Sequence, residues 1–331
     1  MMLQPGRQGK RYLNVLPTSV QPPSGYRELL RRQFAERTDR TPGQPLGPFR
    51  ADAAALNQPV PASALRVTWL GHSTVLLEID GRRFLTDPVW AERASPLPGL
   101  GPRRFFAPPL PLAELPPLDG VVLSHDHYDH LDRAAVRALA RRGEVFYCPL
   151  GVGRRLRRWG VPGFSIKELG WWDSLPLGPG FTLTATPARH FSGRGLLDRD
   201  QTLWASWVLA GPHHKVFFGG DSGPFEEVFR QIRQQLGPFD LVLLEIGAAD
   251  REWANIHLGP DEALRAHQQL GGGPLLPIHW GTFNLALHTW QQPVQRLLEL
   301  AGPGTPLLLP APGQRVDVDQ GAPLNTGWWR Q

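Results

Sequence analysis

The sequence predicts a layered α/β protein in which sheets pack on one another and helices cover the outside. Two patterns carry that expectation. Short apolar, strand-like runs recur from about residue 65 to residue 278, and several are followed by amphipathic stretches of helical period. No linker divides them, so they read as one body. The 331 residues are 41% hydrophobic, enough for a chain of this length to bury roughly three quarters of its unfolded surface. Gly 36 and Pro 35 make up about a fifth of the chain, below the roughly 25–30% at which low complexity becomes the default reading, and predict many loops.

Residues 1–63, rich in Pro, Gln and Arg, read as an arm packed on or extending from the core, with one amphipathic helix between Tyr26 and Glu36. Residues 64–331 form the core. Strands are expected over 66–70, 75–79 and 83–86, the last two joined by an Asp80-Gly81 turn. The run 120–123 (GVVL) reads as a fully buried strand, followed by a His-rich loop and a helix over 132–142. Further strands are expected over 144–148, 181–186, 203–209, 215–218, 240–245 and 274–278. Helices fill the gaps, best defined at 225–235 and at 260–269, the second with Pro260 at its first position and acidic residues in its first turn.

The formal charge of +5 raises the question of nucleic acid. Its distribution answers it. Residues 1–60 hold nine basic and four acidic side chains, which accounts for the whole excess. The core is balanced, leaves no basic channel, and no nucleic-acid partner is expected. The basic arm is read chiefly as a solvated face, with peripheral contact to anionic lipid as the other reading, at about 1 kcal/mol per basic side chain near such a surface. Cys148 is the only cysteine, so no disulfide framework is expected. The first residues lack an apolar signal region and no run of 18 apolar residues occurs, which predicts a cytoplasmic protein, at most peripheral at the inner face of the membrane. A homodimer is the oligomer to expect first, dimers being the commonest symmetric assemblies.

The chemistry concentrates in Ser124-His125-Asp126-His127-Tyr128-Asp129-His130-Leu131-Asp132, directly after the buried strand. Imidazole nitrogen and carboxylate oxygen are the donors that first-row divalent ions take, and alternate positions of an extended loop aim His125 and His127 at one point. Asp129 and His130 turn toward a second. Two such ions about 3.5–4 Å apart lower the proton affinity of a shared water and polarise a carbonyl or phosphoryl oxygen.

This segment resembles the HxHxDH motif of the metallo-β-lactamase superfamily. The resemblance implies a four-layer αββα sandwich and three later ligands, matched by His190 in TATPARH, Asp221 in FFGGDS and His279 in PIHWG. Carried over residue by residue, His125, His127 and His190 hold one metal ion and Asp129, His130 and His279 the other. Asp221 bridges them, and Asp129, Asp221 and His279 belong to the catalytic set. The implied cofactors are two Zn²⁺ per chain, although the same donors accommodate iron or manganese.

Within that superfamily the strings VTWLGHST (67–74), LTDP (85–88), GPRRF (101–105), ELGWW (168–172), LWASW (203–207) and HWGTF (279–283) resemble the branch of N-acylphosphatidylethanolamine-hydrolysing phospholipases D. That resemblance implies a phosphodiesterase releasing phosphatidic acid and an N-acylethanolamine, with Tyr128 and His257 contacting the substrate. Ile256 stands where the branch has Gln, which puts the headgroup contacts in question. The alternative is a metal-dependent lactonase or phosphodiesterase acting on a small soluble, sugar-phosphate-like ester. A non-catalytic lipid-binding protein would not need all seven ligands.

Other residues are left with two readings or assigned to structure. Asp126 either protonates a leaving group or orients a ligand, and His72 either faces the site or is buried. Asp87 is read as supporting, His213 and His214 as surface, and His267 as part of a helix. His288 is read as lying away from the site rather than at a pocket mouth. Cys148 is read as a buried apolar residue, and Trp328 and Trp329 as docking the tail or touching membrane.

Overall fold

The computed structural model describes every residue except 1, 21–23, 26, 29–30, 33–38, 98, 196, 321–323 and 331. Most of the helix expected between Tyr26 and Glu36 thus lies outside the described residues.

The arm begins with a hairpin of β1 (Gly6–Gln8) and β2 (Arg11–Leu13), followed by the single-turn helix α1 (Ala53–Leu56). Next come β3 (Leu65–Gly71), β4 (Thr74–Ile79), β5 (Arg82–Thr86), β6 (Gly120–Val122), α2 (Arg133–Arg141), β7 (Phe146–Pro149), α3 (Val152–Arg158) and β8 (Ile166–Leu169). The second half holds β9 (Ser174–Gly178), β10 (Phe181–Thr186), β11 (Ser206–Ala210), β12 (Lys215–Phe218), α4 (Glu226–Leu236), β13 (Leu241–Glu245), α5 (Gly259–Leu270) and β14 (Leu275–Ile278). The chain closes with α6 (Gln292–Leu300), β15 (Leu308–Leu309), β16 (Arg315–Asp317) and β17 (Leu324–Asn325).

Seven strands pair in the order β16-β3-β4-β5-β6-β7-β8 and six in the order β14-β13-β12-β11-β10-β9. Each sheet is antiparallel on one side and parallel on the other; four of the five parallel crossovers run through α2, α3, α4 and α5, whereas the β5–β6 connection carries no α-helix among the described residues. Trp69, Leu77 and Phe84 of one sheet share a core with Leu183, Trp207 and Phe217 of the other. On the outer face of the first sheet, Leu76, Leu85 and Val121 pack with Val136 and Leu139 of α2 and Leu156 of α3. Val228, Phe229 and Ile232 of α4 and Ala263 and Leu270 of α5 cover the second sheet. The result is the expected four-layer αββα sandwich.

Local chemistry accounts for the boundaries. Asp80 and Gly81 both take positive φ, 48° and 86°, as a two-residue hairpin turn matching strand twist requires. Asp132 caps α2 by accepting from Ala134 N at 2.8 Å, and Gly271, at φ 109°, ends α5. The expected strand over 203–209 starts only at Ser206, because Leu203 N and Ala205 N donate instead to Leu150 O and Ser124 O in neighbouring loops. The strand expected from 144 starts at Phe146, since Glu144 N bonds back to Leu139 O at the end of α2. Not foreseen were the arm elements β1, β2 and α1, then β8, the proline-bearing edge strand β9, α3, α6 and the closing strands β15, β16 and β17. Trp328 and Trp329 are buried, Trp328 against Trp69, Trp280 and Phe49, so they dock the tail. Among the described residues no helix is long and apolar enough to cross one.

Candidate metal centre

The parallel strands deliver the site. In open α/β sheets, functional groups gather beyond the carboxyl ends of the strands, and here His125 follows β6, Asp221 follows β12 and His279 follows β14, while His190 lies beyond β10. The loop after β6 is held from below by buried Asp87, which accepts from Ser124 N at 2.7 Å and from Ser124 Oγ at 2.5 Å.

All seven expected residues converge. His125 Nε2 lies 2.8 Å and His190 Nε2 3.3 Å from His127 Nδ1. Beside this trio, Asp129 Oδ2 lies 3.5 Å from His130 Nε2 and 3.3 Å from His279 Nε2. Asp221 Oδ2 stands between the groups, 3.1 Å from His130 Nε2, 3.2 Å from His279 Nε2, 3.7 Å from His190 Nε2 and 3.8 Å from His125 Nε2. Ligands around a tetrahedral ion at metal–nitrogen distances of about 2.0–2.1 Å are about 3.3 Å apart, so the spacing fits coordination. Nε2 of His130, Nε2 of His279 and Oδ1 of Asp221 are buried without a hydrogen-bond partner among the described residues. Buried polar atoms are rarely left so without a ligand to take them.

Charge follows the same division. Burial, with neighbouring imidazoles, depresses His125 and His190 well below the ordinary histidine pKa and lowers His127, leaving three neutral donors. Burial works against the charge on Asp129 and Asp221, but His130 beside both holds them well below the usual carboxylate range. Against the same burial, those carboxylates raise His279 to about 10. The centre is built to hold positive charge.

Outer contacts choose the tautomers, as metal-binding imidazoles require. His130 Nδ1 meets Asp87 Oδ2 at 2.7 Å, and His190 Nδ1 meets Ile256 O at 2.9 Å. Both leave Nε2 to face inward. His72, left with two readings above, faces the site: its Nε2 lies 3.0 Å from Asp129 Oδ2. Burial, then His279, lowers its pKa to about 3, so it is neutral and donates to Asp129.

Asp126 Oδ2 accepts from Arg155 Nη2 at 2.7 Å and its Oδ1 from Gly193 N at 2.8 Å, which ties the metal-binding loop to the loop after His190. Tyr128 Oη donates to Arg194 O at 2.9 Å, and its ring stacks under the Arg194 guanidinium, 3.7 Å from the ring centroid. His257 comes to the centre, its ring 5.3 Å from that of His279 and 5.1 Å from that of His190. His288 binds Thr289 O, and Cys148 is buried and unpaired. His267 lies within α5. His213 is exposed as expected, while His214 is only half-buried, held between Asp80 and Asp319.

Two contributors were missed. Glu245 ends the apolar strand β13, fully buried, and its Oε2 lies 2.5 Å from His257 Nδ1 while Oε1 accepts from Ser222 N at 2.7 Å. A lone carboxylate closing an apolar run was the available signal. Asn14 in the arm donates to His190 O at 2.7 Å and accepts from His190 N at 3.1 Å; nothing local in the sequence marks it.

Residues 82–280 match the family model described as beta-lactamase superfamily domain. The chain belongs to that superfamily and is a metal-dependent hydrolase of the metallo-β-lactamase fold. An uncharacterized protein of Mycobacterium tuberculosis is 53% identical over 274 residues, 81% of this chain and 73% of the relative. The N-acyl-phosphatidylethanolamine-hydrolyzing phospholipase D 1 of Caenorhabditis elegans is 38% identical over 249 residues, 72% of this chain and 70% of the relative. Among solved structures, the isothiocyanate hydrolase from Delia radicum gut bacteria shares the fold with a TM-score of 0.61 at 24% identity, over 76% of this chain and 98% of that one.

Proposed function

We propose that the protein is a dinuclear metal-dependent phosphodiesterase of phospholipase D type that hydrolyses N-acylphosphatidylethanolamine to phosphatidic acid and an N-acylethanolamine. The carrying observation is the placement of Asp221 Oδ2 within 4 Å of imidazole nitrogens from both donor groups. His125, His127 and His190 would hold one ion, Asp129, His130 and His279 the other, with Asp221 shared; zinc suits the set, and iron or manganese fits as well. When bound, the ions supply an activated water and charge stabilisation for the phosphoryl oxygens.

The chain's own residues do the rest. The mouth is marked by His127, Asp129 and His257, half-buried where the other ligands are closed off. His257, its Nδ1 engaged by Glu245, has Nε2 left for a phosphoryl or leaving oxygen. His72 steadies Asp129. A groove of about 670 Å³ lined by Trp90, Phe105, Phe106 and Pro108 gives apolar wall for an acyl chain. From the groove wall, Arg104 lies over the Phe283 ring, which in turn meets the His72 ring edge-on. Substrate identity rests on the nematode relative and on this groove. We place the enzyme in the cytoplasm, with peripheral contact to the phospholipid surface.

The test is turnover of N-acylphosphatidylethanolamine in mixed micelles by protein of measured metal content, beside a chelated control and a panel of soluble phosphodiesters and lactones. Chelator-sensitive release of phosphatidic acid at about two metals per chain is expected. Turnover of soluble esters alone would leave the metal chemistry and remove the phospholipase assignment.

A further inference from the structure

We propose that the arginine-lined cleft behind the metal-binding loop is a binding site for a phosphomonoester group, separate from the metal centre and independent of which ester is cleaved there. The loop 125–130 has two sides. His125, His127, Asp129 and His130 turn to the metals, whereas Asp126 and Tyr128 turn to Arg155 and Arg194. On that second side lies a cleft of about 400 Å³ lined by Arg93, Arg133, Arg155, Arg194, Tyr128 and Trp159.

The charges in the cleft do not cancel. Two carboxylates also line it, and both are committed. Asp132 accepts from Trp90 N, Ala91 N and Ala134 N, and Asp198 accepts from Arg194 N, Gly195 N and Arg155 Nη2. Arg155 is spent on Asp126 and Asp198 through Nη2, yet its Nε is buried without a partner among the described residues. Arg194 uses Nη1 on the carbonyls of Asp126, His127 and Leu131, which fixes the guanidinium in place. Arg93 donates to Gly101 O. Among the described residues neither Arg93 nor Arg133 has a carboxylate within the ion-pair distances found elsewhere in the chain.

Arg133 is also misplaced for stability, since it opens α2, where the helix dipole disfavours a cation. A ligand accounts for it. Guanidinium forks match phosphate oxygens bidentately, and a doubly charged phosphomonoester suits an excess of cationic groups better than a carboxylate does. Such a group belongs either to a soluble phosphomonoester or to a headgroup such as that of phosphatidic acid.

The experiment uses the full-length, metal-loaded protein and the Arg93→Ala/Arg133→Ala double variant. Binding of sn-glycerol 3-phosphate is measured by calorimetry, and flotation is measured with phosphatidylcholine vesicles with and without phosphatidic acid. Hydrolysis of bis(p-nitrophenyl) phosphate reads the metal centre alone and is expected to be unchanged. Lost charge-assisted hydrogen bonds should weaken the cleft about tenfold or more. Weakened glycerol phosphate binding identifies a soluble ligand, and weakened flotation confined to phosphatidic acid vesicles identifies a headgroup. Equal binding and equal flotation of wild type and double variant would overturn the proposal, whatever the metal centre does. The single Arg133→Ala variant changes an exposed side chain and keeps the test available if the double variant misfolds.

Discussion

Among the described residues, a cluster of imidazole and carboxylate groups around Asp221 and another around His214 differ in what is left over. Around Asp221, the buried Nε2 atoms of His130 and His279 lie beside the carboxylate yet make no well-directed hydrogen bond among the described residues. Around His214, every polar atom is used. His214 Nδ1 meets Asp80 Oδ1 at 2.6 Å and Nε2 meets Asp319 Oδ1 at 3.0 Å. Asp80 Oδ2 accepts from His213 N and His214 N, and Asp319 Oδ2 accepts from Leu65 N. Composition alone cannot tell these clusters apart. Surplus donors mark a site that awaits a ligand, and saturated donors mark a clamp, here one tying the carboxyl-terminal segment to the β4–β5 turn.

The comparison breaks most visibly at its centre. Asp221→Asn should abolish turnover with the fold retained, and bound metal should fall. Replacing outer contacts of metal sites already costs 10–100-fold, so loss of the shared ligand should cost at least about a hundredfold. Metal analysis beside circular dichroism checks both; full metal content with full activity would remove Asp221 from the centre.

One layer outward, Asp87→Asn keeps the shape but weakens the hold on His130 Nδ1 and Ser124. A drop of about 10–100-fold in metal affinity is expected, read by chelator competition. Further out still, Asn14→Ala removes two hydrogen bonds to the backbone of His190, at about 1 kcal/mol each. Metal retention should weaken several-fold, with the metal held by His125, His127 and His190 leaving first. An unchanged off-rate would mean that the arm merely rests on the core.

These layers were unequally legible in the sequence. His125, His127, Asp129 and His130 announce themselves because one loop carries them, and Asp80-Gly81 announces its hairpin because only such a turn suits both φ values. His190, Asp221 and His279 are isolated letters that only a family resemblance could join. Alternation in the loop was read as aiming His125 and His127 together, but its other half, which sends Asp126 to Arg155, was left open because Arg155 sits in a helix hidden by the run VGRRLRR. Asn14 and His190 are 176 residues apart, and His214 looked like a surface turn because Asp319 is far along the chain. Contacts of that separation are products of the fold.

The smallest effect should come from the saturated cluster. Burial opposes charge on His214, but Asp80 and Asp319, with Asp240 further away, outweigh it and raise its pKa. A folded value above the unfolded one of about 6.5 contributes stability that is fully present below that pH and is lost as pH rises through the folded value. His214→Ala should therefore lower the melting temperature below about pH 6.5, by an amount worth at most about 1 kcal/mol for so open a pair. The deficit should shrink by about pH 9, and metal content should not change at either pH. A deficit independent of pH would make the ring a neutral hydrogen-bonding spacer, and any loss of metal would show that the two clusters are not separate.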